Sequence, residues 1–304
     1  MNSKVSIILL NWNGNNDTLE CLNSLQKVEN KNIEIILVDN GSDNDDYFKF
    51  KDTYPDIKVI KSKTNLGFSG GNNLGIKYAL EQGTDFILLL NNDTVVEPNF
   101  IEPLLDVFEK EKNVGIVAPQ INYFNEPQKI WSEGGYVSKI RASGFAYSDK
   151  FEEISNTDYE QKQFVSGCCM LIKREVFKIV GTFDNDFFLY LEDVDLCVRT
   201  IKSGYNIFVS HKSKIYHKVS NSTIKNYTAL PLYYVTRNRL YFIKKNYPLY
   251  ILYSTIYLSS TMIFKIFFWF ITKKRSNIRA VYFAFYDFFK GNMGKTDHNK
   301  FQVL

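Results

Sequence analysis

Three acidic stretches have the residue types and spacing for chemistry. "FILLLNNDT", residues 86–94, runs an apolar segment straight into Asn91, Asn92 and Asp93. A carboxylate at a strand end can hold a hard divalent cation against a diphosphate while water completes the shell, so Asp93 is a candidate ligand for Mg²⁺ or Mn²⁺. A capping turn, with the two amides satisfying loose backbone groups, accounts for the same residues. "LEDVD", 191–195, sets Glu192, Asp193 and Asp195 at the start of a helix. The helix dipole explains one or two acids there. A third exceeds that need, and crowded carboxylates raise one another's pKa until one is ready to accept a proton. "ILVDNGSDND", 36–45, ends a strand on Asp39 among residues that also form turns.

Two further features are weaker alone. "NLGFSGGNNLG", 65–75, places Gly67, Gly70 and Gly71 before a helix, where small residues permit close backbone approach and helix N–H groups can meet phosphate. It has neither the GxGxxG nor the GxxxxGK[ST] spacing, so the dinucleotide and P-loop readings lack their defining pattern. His217 follows the strand-like "KIY". A neutral imidazole can ligate a metal or contact phosphate, although a lone histidine is more often structural.

These residues need a frame that brings them together. Short β-rich runs ("VSIILL", "IEIILVD", "IKVI", "FILLL", "VGIVAP") alternate with helix-like stretches at 18–26, 70–82 and 100–111. That alternation implies an α/β fold with a mostly parallel sheet and helices on both faces. Such sheets bind ligands at the carboxyl ends of their strands, which is where four polar loops would gather at one rim. From about 120 to 168 the pattern weakens into aromatic and glycine-containing segments, read as irregular hairpins or loops over the sheet. "FVSGCCMLIKREVFKIVG" then reads as a strand and a short helix ending at Gly181, followed by a helix, one more strand and "KIYHKVSNST".

The chain of 304 residues is 45% hydrophobic and 23% charged, which leaves ample material for a core. Its four cysteines are too few and too irregularly spaced for a disulfide framework or a CxxC metal site, pointing to a reducing, cytoplasmic setting. "VSIILL" is too short for a secretory signal and reads as a first strand. The net charge of +4 conceals an asymmetry, since residues 237–304 carry twelve Lys or Arg against two acids. Within that tail, 249–272 is apolar apart from Lys265 and has cationic flanks, so its length allows a membrane span while the lysine and the flanks argue against a simple one. Ile278, Val281, Tyr282, Phe285 and Phe289 then form one helical stripe, as in an interfacial helix. A helical hairpin packed on the soluble domain is the plainer alternative. Nucleic acid is not an expected partner, because the basic residues interleave with a continuous apolar run.

Taken in order, "VSIILLNWNG", "ILVDNGSDND", "NLGFSGGNNLGI", "LLLNNDTVVEPNFI", the segment 165–199 and "YHKVSNST" resemble the family 2 glycosyltransferases of GT-A fold, and within them the rhamnosyltransferase-like branch. The resemblance implies a GT-A catalytic domain over 1–228, with a nucleotide-sugar half (about 1–120) and an acceptor half (about 121–228), and a helical, membrane-associated region over 229–304. It implies that Asn11 and Asn13 lie beside the nucleotide and that Asp39 accepts the N3 hydrogen of uracil or thymine. Asn65, Gly67 and Gly71 would line the same pocket. Asp93 would bind the metal, with His217 helping and Asn91 and Asn92 beside it, where many members carry two acids. Asp193 would be the general base, with Glu192 as its neighbour. The implied reaction is inverting transfer of a sugar, L-rhamnose from dTDP-rhamnose in first place, from a dTDP or UDP donor to a glycan or polyprenyl-linked acceptor. The basic tail with its apolar core would hold the enzyme at the cytoplasmic face of an anionic membrane, which points to cell-envelope polysaccharide synthesis. A catalytically silent scaffold that binds nucleotide sugar or glycan is the rival from another class.

Overall fold

The computed structural model describes residues 3–43, 46–146, 148, 150–151, 157–219 and 229–301. The end of the expected acceptor half, including Ser220 to Thr223 of the last motif, lies outside the described residues.

The apolar runs become a central sheet. β1 (Val5–Asn11) pairs in parallel with β2 (Ile33–Asp39) on one side and β4 (Phe86–Asn91) on the other, and β3 (Lys58–Lys61) extends the parallel part from β2. Beyond β4 the pairing changes. β12 (Cys169–Lys173) inserts antiparallel between β4 and β6 (Val114–Tyr123). β13 (Asn206–His217) runs parallel to β6, and its last residues pair antiparallel with β5 (Thr94–Val96). The part formed by β1 to β4 is therefore parallel as expected, and the rest of the sheet is mixed. The sequence shows no direction for β12, because a strand buried on both faces reads as the same apolar run whichever way it points.

The aromatic segment after 120 is more regular than its sequence suggests. β6 continues to Tyr123, followed by β7 (Lys129–Ser132), β10 (Lys150–Phe151) and β11 (Tyr159–Lys162). β8 (Gly135–Ser138) and β9 (Ser143–Ala146) form a separate hairpin.

Alternate residues of each central strand serve opposite faces. Ile7, Leu9, Leu88 and Leu90 join the core beneath α1 (Asn15–Leu25) and α4 (Glu102–Lys110). Ile8, Ile87 and Leu89 join the other core beneath α3 (Gly67–Glu81), α5 (Arg174–Val180) and α6 (Glu192–Lys202). This two-sided burial accounts for strands without polar alternation. Helix α5 stops at Gly181, whose positive φ of 76° is open to glycine without strain. One helix, α2 (Asp46–Thr53), follows β2 without an apolar stripe strong enough to have marked it.

The tail folds as α7 (Ala229–Asn246), α8 (Ile251–Ile271) and α9 (Arg275–Lys290). Tyr233 and Tyr234 of α7, Trp269 of α8, and Val281 and Ala284 of α9 share a core with Phe188 of the sheet domain. Only Ser254, Leu258, Met262 and Trp269 of α8 are buried. Phe264, Phe267, Phe268 and Phe270 of that helix all lie on its exposed surface. Pro248–Ile271 is the one helical stretch among the described residues long and apolar enough to cross a membrane. The stripe expected on the last helix is divided: Val281 turns inward, Ile278 and Phe285 are half-buried, and Tyr282 and Phe289 face outward. Ala280, Ala284 and Phe288 complete the buried face instead, because the small side chains let α9 approach α7.

Candidate active site

Every acidic motif sits at the carboxyl end of a strand or the start of a helix on one rim. The Asn91–Asn92–Asp93 stretch is the tight turn between β4 and β5, and Thr94 Oγ1 closes it by donating to the Asn91 carbonyl at 2.7 Å. Asn92 Nδ2 donates to Thr18 Oγ1 at 2.8 Å, tying the turn to α1. Pairing of β13 with β5 sets His217 opposite Thr94, and His217 Nε2 stands 3.2 Å from Asp93 Oδ1. The His217 ring packs edge-on against Trp131, and its Nδ1 is buried without a hydrogen-bond partner among the described residues. A carboxylate and an imidazole nitrogen converging in this way suit a hard divalent cation, provided that other oxygens complete its shell. No group of three or more His, Cys, Asp or Glu side chains placed to hold a metal stands among the described residues, so a cation beside Asp93 would need oxygens from outside the protein as well.

Asp39 is fully buried at the end of β2. Its Oδ1 accepts from the Ser42 N–H at 3.3 Å, while Oδ2 is buried with no partner among the described residues. An unpartnered buried carboxylate oxygen is costly unless a ligand donor meets it.

The residues around Asp39 divide into scaffold and wall. Asn11 is buried and its side chain is fully engaged: it donates to Ser42 Oγ and Asp46 Oδ2 and accepts from the Gly14 N–H and Thr18 Oγ1. It fastens the rim and does not project into the cleft. Asn13, at φ 55°, exchanges hydrogen bonds with Asp43 at 2.9 Å in both directions. Asn65 Oδ1 accepts from the Gly67 N–H at 2.7 Å and from Asn40 Nδ2 at 3.2 Å. Gly67 has φ 73°, and a β-carbon there would lie 2.3 Å from the Phe188 carbonyl oxygen. Gly71 does not line the pocket; a β-carbon there would meet Leu10 Cδ1 at 2.4 Å, so it lets α3 press against β1.

Asn65, Gly67, Asn91, Asn92 and Asp93 line one cleft of about 580 Å³, closed on its far side by Phe188 and Tyr234. Asp193 is not on that wall and stands beside it. Its Oδ2 accepts from the Gly167 N–H at 2.9 Å and its Oδ1 from the Val194 N–H at 2.8 Å. The carbonyl of the next residue, Cys168, accepts the Asn91 N–H at 2.8 Å, so two consecutive residues join the Asn91–Asp93 turn to the candidate base. Burial pushes the Asp193 carboxyl above the ordinary aspartate range, and the two backbone donors oppose that rise. Glu192 is buried with Oε2 unpartnered, and burial together with the Asp193 charge holds its carboxyl well above the ordinary range. The third acid, Asp195, is structural: it accepts from Arg199 Nε at 2.8 Å, Lys245 Nζ at 3.1 Å and Asn246 Nδ2 at 2.7 Å.

Between these parts runs the loop 183–191, with left-handed φ at Phe188, Tyr190 and Leu191. The Phe188 carbonyl accepts the Phe68 N–H at the start of α3 at 2.7 Å, and its ring stacks on Tyr234. Asn238 of α7 donates to the carbonyls of Phe187, Leu189 and Tyr190 at 2.8, 2.8 and 2.9 Å. Arg237 Nη2 reaches the Asp186 carbonyl at 3.2 Å. Asn40, Arg237, Asn238 and Lys295 were not marked by sequence reasoning. Asn40 lies inside a quoted motif and was open to selection, whereas the other three act across the chain and have no local pattern.

A doubly covered α/β sheet that gathers Asp39, Asp93 and the Glu192–Asp193 pair at one rim is the architecture of a GT-A glycosyltransferase. The chain belongs to glycosyl transferase family 2, whose profile matches residues 6–181. It is 25% identical over 257 residues to the dTDP-rhamnosyl transferase RfbF of Shigella flexneri, covering 81% of this chain and 82% of that one. It is 26% identical over 222 residues to an N-acetylglucosaminyl-diphospho-decaprenol L-rhamnosyltransferase of Mycobacterium tuberculosis, covering 66% and 72%. The low-salt glycan biosynthesis hexosyltransferase Agl10 of Haloferax volcanii is 29% identical over 209 residues, which span 67% of this chain and 63% of that protein. Among solved structures, GalNAc-T7 with UDP, GalNAc and Mn²⁺ superposes with a TM-score of 0.60 at 16% identity, over 78% of this chain and 51% of that one. The Pyrobaculum calidifontis mannosyltransferase PcManGT, in complex with GDP-Man and Mn²⁺, gives 0.57 at 14% identity, over 84% and 70%. Those two likenesses concern the fold.

Proposed function

We propose that this glycosyltransferase moves L-rhamnose from dTDP-rhamnose, by single displacement with inversion, onto a polyprenyl-diphosphate-linked glycan. The observation that supports the chemistry most is the Gly167–Cys168 segment, which bonds to both the Asp93 turn and Asp193. Asp39 Oδ2 accepts the N3 hydrogen of thymine, an edge that uracil shares. Asp93 and His217 would hold a divalent cation, which when bound supplies positive charge to the leaving diphosphate. Asp193 takes the proton of the acceptor hydroxyl as its oxygen bonds to the anomeric carbon and the bond to the nucleoside diphosphate breaks. A raised pKa suits Asp193 to that task, because a stronger base keeps the proton it removes. Phe188 and Leu189 cover the cleft and would limit access of water.

The donor and acceptor assignments are supported by the relatives named as dTDP-rhamnosyl and decaprenol-linked L-rhamnosyl transferases. The exposed apolar side of α8, followed by Lys273, Lys274 and Arg275, suits a peripheral or shallowly embedded position at an anionic cytoplasmic leaflet. The test is turnover of dTDP-rhamnose, UDP-sugars and GDP-sugars with a decaprenyl-diphosphate N-acetylglucosamine acceptor, in Mg²⁺, Mn²⁺ and EDTA, with the anomeric configuration of the product read by NMR. The expected result is metal-dependent transfer from dTDP-rhamnose with inversion, abolished in Asp193→Asn. Transfer that survives in Asp193→Asn would remove Asp193 as base, and binding of nucleotide sugar without turnover would favour the scaffold reading.

A further inference from the structure

Two lysines stand on the wall of the 580 Å³ cleft, Lys63 on the loop after β3 and Lys295 from the segment that follows α9. The route of Lys295 to that wall is built. Gly291 ends α9 in a left-handed conformation, and the Asn292 N–H returns to the Asp287 carbonyl at 2.8 Å. Gly294 is held from both sides: its N–H donates to the Asp186 carbonyl at 2.8 Å, and its carbonyl accepts from Arg237 Nη1 at 2.8 Å. The Thr296 N–H donates to the buried Tyr234 hydroxyl at 3.0 Å. Both neighbours of Lys295 are thus fixed, and its side chain extends over the cleft mouth to the Asn65 carbonyl at 3.5 Å. That long contact is weak. Lys295 has no acid partner among the described residues, although Lys218, Lys245 and Lys300 each pair with acids at 3.3 Å or less.

From this geometry we infer that Lys295 is a donor-binding residue that clamps the diphosphate of the nucleotide sugar. The inference rests on the cleft being the nucleotide-sugar site. Within such a donor the diphosphate is the anionic part, so an ammonium carried to the mouth on a fixed backbone, with no acid partner among the described residues, has one chemical complement there. The need for it follows from the Asp93 turn. Two amides stand where a second carboxylate would strengthen the metal site, and a cation supplied by the protein shares neutralisation of the leaving group. The Asp186 and Arg237 contacts also couple the clamp to the loop that leads into Asp193, so binding and base positioning share one support.

The experiment measures dTDP, UDP, thymidine and uridine binding by calorimetry, in Mn²⁺ and in EDTA, to the full-length wild type, Lys295→Ala and Lys295→Arg. Lys295→Ala is expected to weaken the preferred nucleoside diphosphate about tenfold or more, as loss of a charge-assisted hydrogen bond implies. The loss should be at least as large in EDTA, nucleoside affinity should be unchanged, and Lys295→Arg should restore most of the binding. Melting temperatures within about 2 °C of wild type would confirm that the exposed side chain leaves the fold intact. Diphosphate affinity of Lys295→Ala within twofold of wild type would overturn the inference, as would equal loss for the nucleoside. A wild type that binds no nucleoside diphosphate would instead overturn the reading of the cleft, and the clamp with it.

Discussion

Replacing Asn238 with leucine tests whether α7 holds the loop that leads to Asp193, the proposed base. Leucine keeps the branching and heavy-atom count of the buried asparagine side chain and removes its donor, so no cavity complicates the result. One amide group serves three carbonyls. The Phe187 carbonyl retains the Leu189 N–H at 2.7 Å, which leaves the Leu189 and Tyr190 carbonyls dependent on Asn238. An unsatisfied buried acceptor costs about 1–3 kcal/mol, so two cost about 2–6 kcal/mol unless the loop moves. It has reason to move, because Phe188, Tyr190 and Leu191 each occupy the left-handed region at about 1–2 kcal/mol apiece. Relaxation of that loop releases strain while exposing the carbonyls to water. The expected loss of stability is therefore near the low end, about 2–3 kcal/mol, or roughly 4–12 °C in melting temperature. Turnover should fall much further, by about a hundredfold, since Asp193, the proposed base, stands two residues beyond the loop and a small displacement of a base is costly. Nucleotide affinity should fall as well, though less than turnover, because Phe188 and Leu189 of the loop line the cleft while Asp39 and the Asp93 turn lie outside the loop. A variant that melts within about 1 °C of wild type and turns over within twofold would refute this account of the clamp.

Glu192 gives a prediction about pH. Its folded pKa is raised, so the folded state binds the proton more tightly than the unfolded chain does, and stability declines as pH rises from the ordinary glutamate value of about 4.3 through the higher folded value. Glu192→Gln should accordingly melt higher than wild type at pH 8, with the difference closing below about pH 4; a gain independent of pH would show that charge is not its cause. Gly67→Ala should cost about 1–2 kcal/mol for the left-handed backbone and displace Phe188, which lowers both nucleotide-induced thermal shift and turnover at least tenfold. Gly83→Ala, equally left-handed but facing open space, should lose stability alone, and matching activity losses in the two variants would contradict the Phe188 contact. In vesicle flotation the full chain should rise with anionic phosphatidylglycerol vesicles, less so in high salt, and Phe264→Ser with Phe267→Ser should keep it in the dense fraction. Wild-type protein remaining in that fraction would count against the membrane role of α8.

What the sequence made legible follows from where each signal is stored. Asp39, Asp93 and Asp193 stand out because each lies at a boundary between an apolar segment and a polar turn or helix start, and the rim of a parallel sheet gathers such boundaries. Their order along the chain was enough to identify the fold family. The functions of their neighbours were less accessible, since a motif residue can serve the ligand or the scaffold with the same local pattern. Asn11, Gly71 and Asp195 all occur within the motifs, yet their side chains or missing side chains are committed to internal contacts. The converse holds for Arg237, Asn238 and Lys295. Each acts on a carbonyl at least 48 residues away, as Asn238 does on Tyr190, and nothing in "TRNRLY" or "MGKTDH" signals it.

The tail carries this separation furthest. The composition of 229–304 suggested attachment to a surface, and the exposed side of α8 keeps that reading open. The same segment also supplies Tyr234 to the cleft wall, Asn238 to the base loop and Lys295 to the cleft mouth. A region read from its hydropathy as an anchor is therefore part of the framework of the candidate site. Movement of α8 at a membrane would reach the site through α7 and α9, which share its core, so membrane attachment and turnover should be coupled and not independent properties.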